Sequence, residues 1–197
     1  MMPTTLDLLR HGEVEGALCL GNRVDLPVSP SGLHAMQAWV EDLPPWRGII
    51  SSPLIRCRQF AEEVCRHLDL PLHIDPDWRE LGFGDWEGRR WEDLYAQEGG
   101  QLIDFWRNPG LHPAPGGEHF ADFRQRLDSA WQRAQDLALG QHWLIVTHAG
   151  PIRALLCQTL AIPEQRIAQL DVPLAGLTRL ELYADEAPRL LFHGRIA

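Results

Sequence analysis

His142-Trp143-Leu144-Ile145-Val146-Thr147-His148-Ala149-Gly150-Pro151 is the stretch of this 197-residue sequence that indicates the fold most strongly. Its first six residues form a largely apolar run with the length of a buried strand. A histidine and two small residues follow, and Pro151 suits the first turn of a helix that we expect to continue through Leu160. The stretch therefore predicts a strand, a short turn and a helix, which is the repeating unit of an α/β protein.

A second stretch, near the amino terminus, has the same plan. Residues 5–9 are predicted to form a strand, and Arg10-His11-Gly12-Glu13 follows directly. Ligands of open α/β sheets bind beyond the carboxyl ends of the strands, so His11 and His148 are expected at the same rim. A small residue follows each histidine, and the glycines Gly12 and Gly150 permit close backbone approach to a ligand. The helix after His148 would direct its amides toward an anion. The position of a single histidine at a strand end is weak evidence for a site, since His193 also ends a predicted strand. The inference depends on the pair His11 and His148, which have the same sequence context.

The remaining elements complete an alternating pattern. Further strands are predicted at residues 48–51, 72–74 (an edge strand), 177–183 and 189–193, with a turn at Asp185-Glu186. Helices are predicted to begin at Ser29-Pro30 and at Ser52-Pro53, and to run from about Glu118 to Leu139. This alternation predicts an α/β fold with three layers, α/β/α, around a mostly parallel central sheet.

The length fits a single domain over residues 1–197. Residues 78–115 differ from the rest, because they hold four tryptophans among glycines, prolines and charged residues, and their helical signal is short. We interpret this segment as a lid-like insertion beside the active site rather than as a second domain.

The charge of the chain restricts the ligands that we expect. The formal net charge is −9 and the pI about 5.4, which argues against a nucleic-acid partner. All 18 basic residues are arginine, so neither a Schiff-base lysine nor a P-loop lysine is present. Any anion must therefore be bound by guanidinium groups, which donate two hydrogen bonds at once to a phosphate.

Other classes of site and location are disfavoured. Cys19, Cys57, Cys65 and Cys157 lack the spacing of a zinc site, so no metal is expected and the thiols are predicted to be reduced. No apolar run approaches the roughly 20 residues of a membrane span, and the first residues do not resemble a signal peptide. We therefore expect a cytoplasmic protein without a membrane partner.

Three further residues are candidates for a site at the predicted rim. Arg10 precedes His11, and Arg56 lies one turn beyond the second predicted strand. A salt bridge is the alternative role for Arg10. Glu80 lies in a loop rich in glycine and aromatic residues, and it is the candidate general acid.

Four ordered motifs resemble the histidine phosphatase superfamily, the phosphoglycerate-mutase-like proteins. They are Arg10-His11-Gly12-Glu13, the stretch 51–56, the loop 78–88, and Thr147-His148-Ala149-Gly150. The resemblance implies that His11 is a nucleophile that forms a phosphohistidine, and that Arg10, Arg56 and His148 bind the phosphoryl oxygens. It implies that Glu80 protonates the leaving oxygen and then activates water, with no cofactor. The partner is then a small phosphomonoester.

The sequence departs from the family pattern after Glu13, where Val14, Glu15, Gly16 and Ala17 replace a common Ser or Thr and a later Asn. Asn22 is a candidate for the missing phosphate contact, and Arg23 is a candidate for binding the substrate.

Several stretches resemble the α-ribazole-5′-phosphate phosphatases of cobalamin biosynthesis: residues 8–16, 21–32, 82–87 and 115–123. Trp86 or Trp106 would then stack on the benzimidazole-type base, the alternative being that they pack the lid onto the core.

Other functions stay open. A sugar-phosphate or nucleotide phosphatase of broad specificity, or a phosphoglycerate mutase, would share the catalytic residues. A non-catalytic module that binds a phospho-ligand should have lost His11 or Glu80, and both are present. A homodimer is an open alternative that the sequence does not decide.

Overall fold

The computed structural model describes residues 3–41, 46–184 and 186–197, and six strands in these ranges form one mixed sheet. The strands are β1 (Thr4–Arg10), β2 (Ile49–Ser51), β3 (Leu72–Ile74), β4 (His142–Thr147), β5 (Leu177–Leu182) and β6 (Arg189–Arg195). Their order is β3-β2-β4-β1-β5-β6, and the four strands from β3 to β1 are parallel. The predicted edge strand and the antiparallel closing pair are confirmed. The predicted turn at Asp185-Glu186 includes Asp185, which is outside the described residues.

The two central strands, β1 and β4, determine where the histidines lie. They pair in parallel with Leu9 opposite Val146 and Arg10 opposite Thr147, so both strands end at the same level. The strands are almost wholly buried, as the apolar runs predict. One residue further on, the amide of His11 donates a 3.0 Å hydrogen bond to the carbonyl of Thr147. The sheet therefore brings His11 next to His148, as predicted.

Five α-helices of the described ranges lie around the sheet. They are α1 (Pro30–Glu41), α2 (Ile55–Leu68), α3 (Trp91–Arg107), α4 (Phe120–Leu137) and α5 (Ala149–Thr159). One buried cluster includes Phe60 of α2 and Met36 of α1, and the other includes Phe123 of α4 and Leu155 of α5. These two cores confirm the three-layer α/β/α fold. No helix in the described ranges is both long enough and apolar enough to cross a membrane.

The start of α1 is predicted correctly and that of α2 is not. The hydroxyl of Ser29 accepts the Gly32 amide at 3.0 Å, as a helix cap does. Helix α2 begins only at Ile55, three residues after Ser52. The Ser52 hydroxyl lies 2.8 Å from the Nε2 atom of His148 instead, and the Ile55 amide donates to Asp25 at 2.7 Å. Long-range hydrogen bonds thus displace the expected cap.

The segment 78–115 contains more helix than its short helical signal suggests. Helix α3 has 17 residues, but it is interrupted at Glu98, whose φ of −131° and ψ of 23° are not helical. Two short helical pieces therefore meet at a kink followed by Gly99 and Gly100, which explains the weak periodicity. A lid function for this segment stays a prediction.

A buried ionic cluster ties the centre of the sheet together. Asp7 in β1 is fully buried, and its carboxylate accepts hydrogen bonds from Trp46 at 2.9 Å and from Arg179 at 2.7 and 2.9 Å. The Nε2 atom of His142 lies 2.9 Å from the same carboxylate. Burial alone would raise the pKa of Asp7, but the hydrogen bonds from His142, Arg179 and Trp46 outweigh it, so the pKa is lowered.

We expect Asp7→Asn to lower the free energy of unfolding by about 1–3 kcal/mol, because it removes the carboxylate that pairs with the half-buried Arg179. Since folding lowers the pKa of Asp7, its contribution is present above the unfolded-state pKa and is lost as pH falls through the folded-state value. Urea unfolding between pH 7 and 3 measures both effects. The free energy of unfolding of Asp7→Asn should fall less steeply at acidic pH than that of wild type. The exposed control Asp136→Asn should behave as wild type. Parallel curves for Asp7→Asn and wild type would contradict this account.

Candidate active site

Two buried imidazoles are in contact at the carboxyl ends of β1 and β4. The ring centroids of His11 and His148 are 5.2 Å apart, with an angle of 61° between the ring planes. His11 is 6% exposed and His148 is completely buried. The rim predicted from the sequence is therefore the place where both histidines meet.

The His11 ring is arranged as a neutral nucleophile. Its Nδ1 atom lies 2.8 Å from the carbonyl oxygen of Gly12, which accepts a hydrogen bond and so places the ring proton on Nδ1. The Nε2 atom then carries a free lone pair. Burial, followed by the positive charges of Arg56 and Arg10, holds the pKa of His11 well below its ordinary value. The ring is therefore uncharged near neutral pH.

His148 is held by side chains from the start of α2. The guanidinium Nε of Arg56 donates to its Nδ1 at 3.3 Å, so the ring proton lies on Nε2, which can donate to the Ser52 hydroxyl at 2.8 Å. The thiol of Cys57 lies 3.6 Å from the Nε2 atom. Burial and then the charge of Arg56 hold the pKa of His148 well below its ordinary value as well. A second uncharged imidazole thus stands beside the first.

Main-chain carbonyls fix Arg56, and Glu87 fixes the loop that supplies them. Arg56 is fully buried and donates to the carbonyls of Gly21 at 2.6 Å and Val24 at 3.1 Å. The Glu87 carboxylate accepts the main-chain amides of Asn22, Arg23, Val24 and Phe83 at 2.8–3.3 Å. The sequence suggests Glu87 as a structural partner of the arginines, but not these hydrogen bonds, because three of them join segments about 65 residues apart.

Arg10 has a buried donor without a protein acceptor. Its Nη1 group donates to the carbonyl of Val172 at 2.5 Å, whereas its Nε group is buried and has no hydrogen-bond partner in the described part of the chain. Such an unsatisfied donor is costly unless a ligand completes it. An oxyanion beside His11 would accept this N–H group.

Glu80 is held against the first turn of α5. Both carboxylate oxygens accept the Gly150 amide, at 3.1 and 3.2 Å, and one also accepts the Leu81 amide at 2.9 Å. A side chain on Gly150 would overlap the Glu80 carboxylate. Glycine at this position therefore lets the Glu80 carboxylate approach the main chain of α5 closely, and the predicted approach of a ligand stays a prediction.

Gly12 packs closely against the start of α1. A Cβ atom on Gly12 would overlap the main chain of Gly32 in α1. The glycine after His11 therefore allows the loop to pack onto the start of a helix, and its role in the close approach of a ligand stays a prediction.

A cavity of about 220 Å³ opens beside His11. It is lined by Arg10, His11, Val14, Ala17, Leu18, Leu20, Glu80, Phe83, Trp91, Trp106, Ala149, Arg153 and Leu174. Three of the predicted site residues, Arg10, His11 and Glu80, are thus brought to one cavity. Arg56 and His148 do not line it; they are buried in the layer that contacts the His11 ring.

Three other predicted residues are placed elsewhere. Trp86 is 1% exposed, and its indole N–H donates to Glu98 at 2.6 Å, so it belongs to the hydrophobic core and not to the cavity. Asn22 packs against Gly82, and Arg23 is exposed with its Nη2 group donating to the Gly116 carbonyl at 2.8 Å. Neither lines the cavity. These placements do not support the substrate-binding and phosphate-binding roles expected for the three residues.

Arg153 and Trp91 line the cavity and were not singled out from the sequence. Arg153 lies four residues after Ala149, so both lie on the same face of α5, the face that meets the rim. The four-residue spacing could have identified Arg153 from the sequence. Trp91 had no comparable signal, because its place depends on a contact with a distant segment, in which its amide donates to the Ala17 carbonyl at 3.3 Å.

Within the described ranges, no group of three or more His, Cys, Asp or Glu side chains is arranged to hold a metal ion. The charges nearest the nucleophile come from arginine side chains.

A neutral histidine with arginines around it, and a carboxylate that lines the same cavity, is an arrangement suited to phosphoryl transfer through histidine. The chain belongs to the histidine phosphatase superfamily (branch 1), whose family model matches residues 6–194. It is 30% identical over 168 residues to the adenosylcobalamin/alpha-ribazole phosphatase of Escherichia coli, covering 80% of each chain.

Solved structures show the same relationship. Bacillus stearothermophilus YhfR superposes with a TM-score of 0.89 at 26% identity, covering 98% of each chain. The alpha-ribazole phosphatase of Shigella flexneri superposes with a TM-score of 0.82 at 27% identity, covering 97% of this chain and 96% of that one. The phosphoglycerate-mutase-like fold predicted from the sequence is confirmed.

We expect Gly150→Ala to lower kcat by about 100-fold, because a small displacement of a catalytic group has an effect of this order. The added methyl group would displace the Glu80 carboxylate from the start of α5. Steady-state kinetics and thermal unfolding measure the effect on turnover and on folding. Gly110→Ala is the control, since the nearest atom to its added Cβ is 3.4 Å away. Wild-type kcat in a folded Gly150→Ala protein would show that the position of Glu80 does not matter.

The protonation of His11 should depend on Arg10. Removing a nearby cation favours the imidazolium form, so Arg10→Gln should raise the pKa of His11 toward its ordinary value. An NMR titration of the His11 ring measures this directly, without the titration of the substrate phosphate. The half-exposed Arg58→Gln serves as the control, because Arg58 pairs with Glu62 on the surface of α2. An unchanged His11 titration in Arg10→Gln would refute this electrostatic role.

Proposed function

We propose that this phosphatase hydrolyses α-ribazole 5′-phosphate, or adenosylcobalamin 5′-phosphate, through a phosphohistidine on His11. The pathway would be cobalamin biosynthesis, in the cytoplasm. The observation that carries the proposal is the arrangement of His11, with its Nδ1 proton bonded to Gly12, its Nε2 atom free, and Arg10 and Glu80 lining the same cavity.

In the first step, the Nε2 lone pair of His11 attacks phosphorus and the bond between phosphorus and the ester oxygen breaks. Glu80, protonated at this stage, gives its proton to the departing oxygen, so the leaving group is a neutral alcohol. The hydrogen bond from Nδ1 to the Gly12 carbonyl fixes the ring and stabilises the positive charge that it gains.

In the second step, water attacks the phosphohistidine. Glu80, now a carboxylate, takes a proton from the water, the bond between phosphorus and nitrogen breaks, and inorganic phosphate leaves. Glu80 is then protonated again and His11 is neutral. One carboxyl group serves both steps, and the Gly150 and Leu81 amides hold it in place throughout.

The arginines and His148 stabilise the transferring group. The unpaired Nε group of Arg10 is the donor best placed to bind a phosphoryl oxygen, since it is buried and has no other acceptor. We assign Arg56 and His148 the same task from the layer behind the nucleophile, where Arg56 also lowers the pKa of His11. Positive charge directed at the equatorial oxygens is the main source of acceleration in phosphoryl transfer.

The relatives named for alpha-ribazole phosphatase support the choice of substrate, as does a cavity with an aromatic side. The phosphatase of broad specificity and the phosphoglycerate mutase remain the alternatives. Both share the chemistry of the first step at His11 and differ in the substrate that the cavity accepts, and a mutase also returns the phosphoryl group to a hydroxyl in place of water.

The test is phosphate release from α-ribazole 5′-phosphate, sugar phosphates, nucleotides and 3-phosphoglycerate, each with wild type and His11→Ala. We expect the highest kcat/KM for α-ribazole 5′-phosphate. Because the nucleophile is lost, His11→Ala should reduce turnover by about 10⁴-fold or more and should abolish acid-labile labelling by ³²P substrate. His112→Ala, at an exposed position, is the control.

The outcomes separate the proposals. Equal kcat/KM across the panel would reject the α-ribazole substrate and favour broad specificity. Transfer of phosphate between the hydroxyls of phosphoglycerate would indicate a mutase. Labelling that persists in His11→Ala would reject the phosphohistidine at this residue, and binding without turnover in wild type would indicate the non-catalytic module.

A further inference from the structure

An aromatic surface lines the cavity beside the residues that handle the phosphoryl group. It consists of Phe83, Trp91 and Trp106, which we call the aromatic wall. The ring centroid of Phe83 is 6.3 Å from that of each tryptophan, and the two indoles are 6.3 Å apart at an angle of 41°. Phe83 is buried, while both indoles are partly exposed. The two tryptophans are thus packed on one another and also reach the cavity.

The kink in α3 is what brings the two tryptophans together. Trp91 begins the helix and Trp106 is next to its last residue. On a straight helix, residues at this separation would lie about 22 Å apart. Their rings meet only because the chain bends at Glu98, where the backbone is not helical.

Glu98 is also fixed by its side chain. Its carboxylate accepts the indole N–H of Trp86 at 2.6 Å and pairs with Arg89. Trp86 is buried in the core and packs against Phe105, the neighbour of Trp106, with ring centroids 5.5 Å apart. Glu98 therefore anchors the bend of α3 to the core, which makes it a positioning residue for the aromatic wall.

Arg153 lies between the aromatic wall and the start of α5. Its Nε group donates to the carbonyl of Leu170 at 2.7 Å, and its guanidinium lies 5.8 Å from the centroid of the Trp106 ring. A cation at this distance from an indole interacts favourably with its face. The cavity thus offers aromatic rings and one cation beside Arg10, His11 and Glu80.

We propose that the aromatic wall and Arg153 form the subsite for the leaving group, and that it takes a planar heteroaromatic base. The inference rests on the proposed phosphatase function and specifies what that site accepts. A flat ring can stack on the exposed indoles, and an unprotonated ring nitrogen can accept a hydrogen bond from Arg153. The remaining lining near the wall is apolar, with Leu18, Leu20 and Leu174, which disfavours a leaving group rich in hydroxyls.

The test compares leaving groups in wild type, Trp106→Ala and Trp106→Phe. The substrates are α-ribazole 5′-phosphate, 1-naphthyl phosphate and glycerol 3-phosphate. Trp106→Ala should lower kcat/KM for both aromatic substrates by about tenfold, mainly through KM, because one stacking contact is lost. It should change kcat/KM for glycerol 3-phosphate by less than about twofold, and Trp106→Phe should recover most of the loss. Ile103→Ala, exposed on the same helix, is the control.

The positioning role of Glu98 has its own test, which also covers the case that Trp106→Ala does not fold. Glu98→Gln keeps an acceptor for Trp86 but loses the charge that pairs with Arg89. It should raise KM for the aromatic substrates and leave kcat and the glycerol 3-phosphate reaction unchanged, whereas the exposed Glu92→Gln should match wild type. An equal loss of activity on all three substrates, or no loss in a folded Trp106→Ala, would overturn the subsite.

Failure of the subsite and failure of the α-ribazole substrate give different results. If Trp106→Ala lowers kcat/KM for 1-naphthyl phosphate but α-ribazole 5′-phosphate is a poor substrate, the proposed subsite is supported and the proposed substrate is rejected. If α-ribazole 5′-phosphate is preferred and Trp106→Ala has no effect on it, the proposed substrate stands and the wall is rejected.

Discussion

The parallel pairing of β1 with β4 is the constraint on which the site depends. With Arg10 opposite Thr147, the next residue of each strand is a histidine, and the His11 amide bonds to the Thr147 carbonyl. A shift of one residue would turn the alternate side chains of β1 to the opposite face of the sheet. The two buried cores on either side prevent that shift, since each needs its own set of apolar side chains. The register that packs the sheet therefore also places His11 beside His148.

Arginine side chains concentrate positive charge at the site, although the net charge of the whole chain is negative. The net charge is −9, yet three arginines line or support the cavity. Arg10, Arg56 and Arg153 each donate to main-chain carbonyls, and none forms an ion pair with a carboxylate in the described part of the chain. Carbonyl oxygens orient a guanidinium without neutralising it, so its charge stays available to an anion. Burial, followed by the charges of Arg56 and Arg10, lowers the pKa of both histidines and keeps them as neutral bases.

The region between β3 and α4 connects the phosphoryl chemistry to the choice of substrate. Glu80 faces the nucleophile, and the following loop and the kinked α3 supply the aromatic side of the cavity. Glu98 connects the bend of α3 to the buried Trp86 through a hydrogen bond. Changes in this segment can therefore alter the aromatic wall without moving His11. The aromatic side of the cavity and His11 thus lie on different structural elements.

The sequence by itself determined the strands, the order of the layers, and the residues Arg10, His11, Arg56, Glu80 and His148. Hydrophobic periodicity and short motifs are local, so they can be read along the chain. Tertiary structure alone decided that Trp86 is a core residue while Trp91 and Trp106 line the cavity, although all three lie in one tryptophan-rich segment. It also decided the later start of α2, since Ser52 bonds to His148 across the fold. These features depend on contacts between distant segments, and no local pattern encodes which side chain a bend or a long-range hydrogen bond will bury.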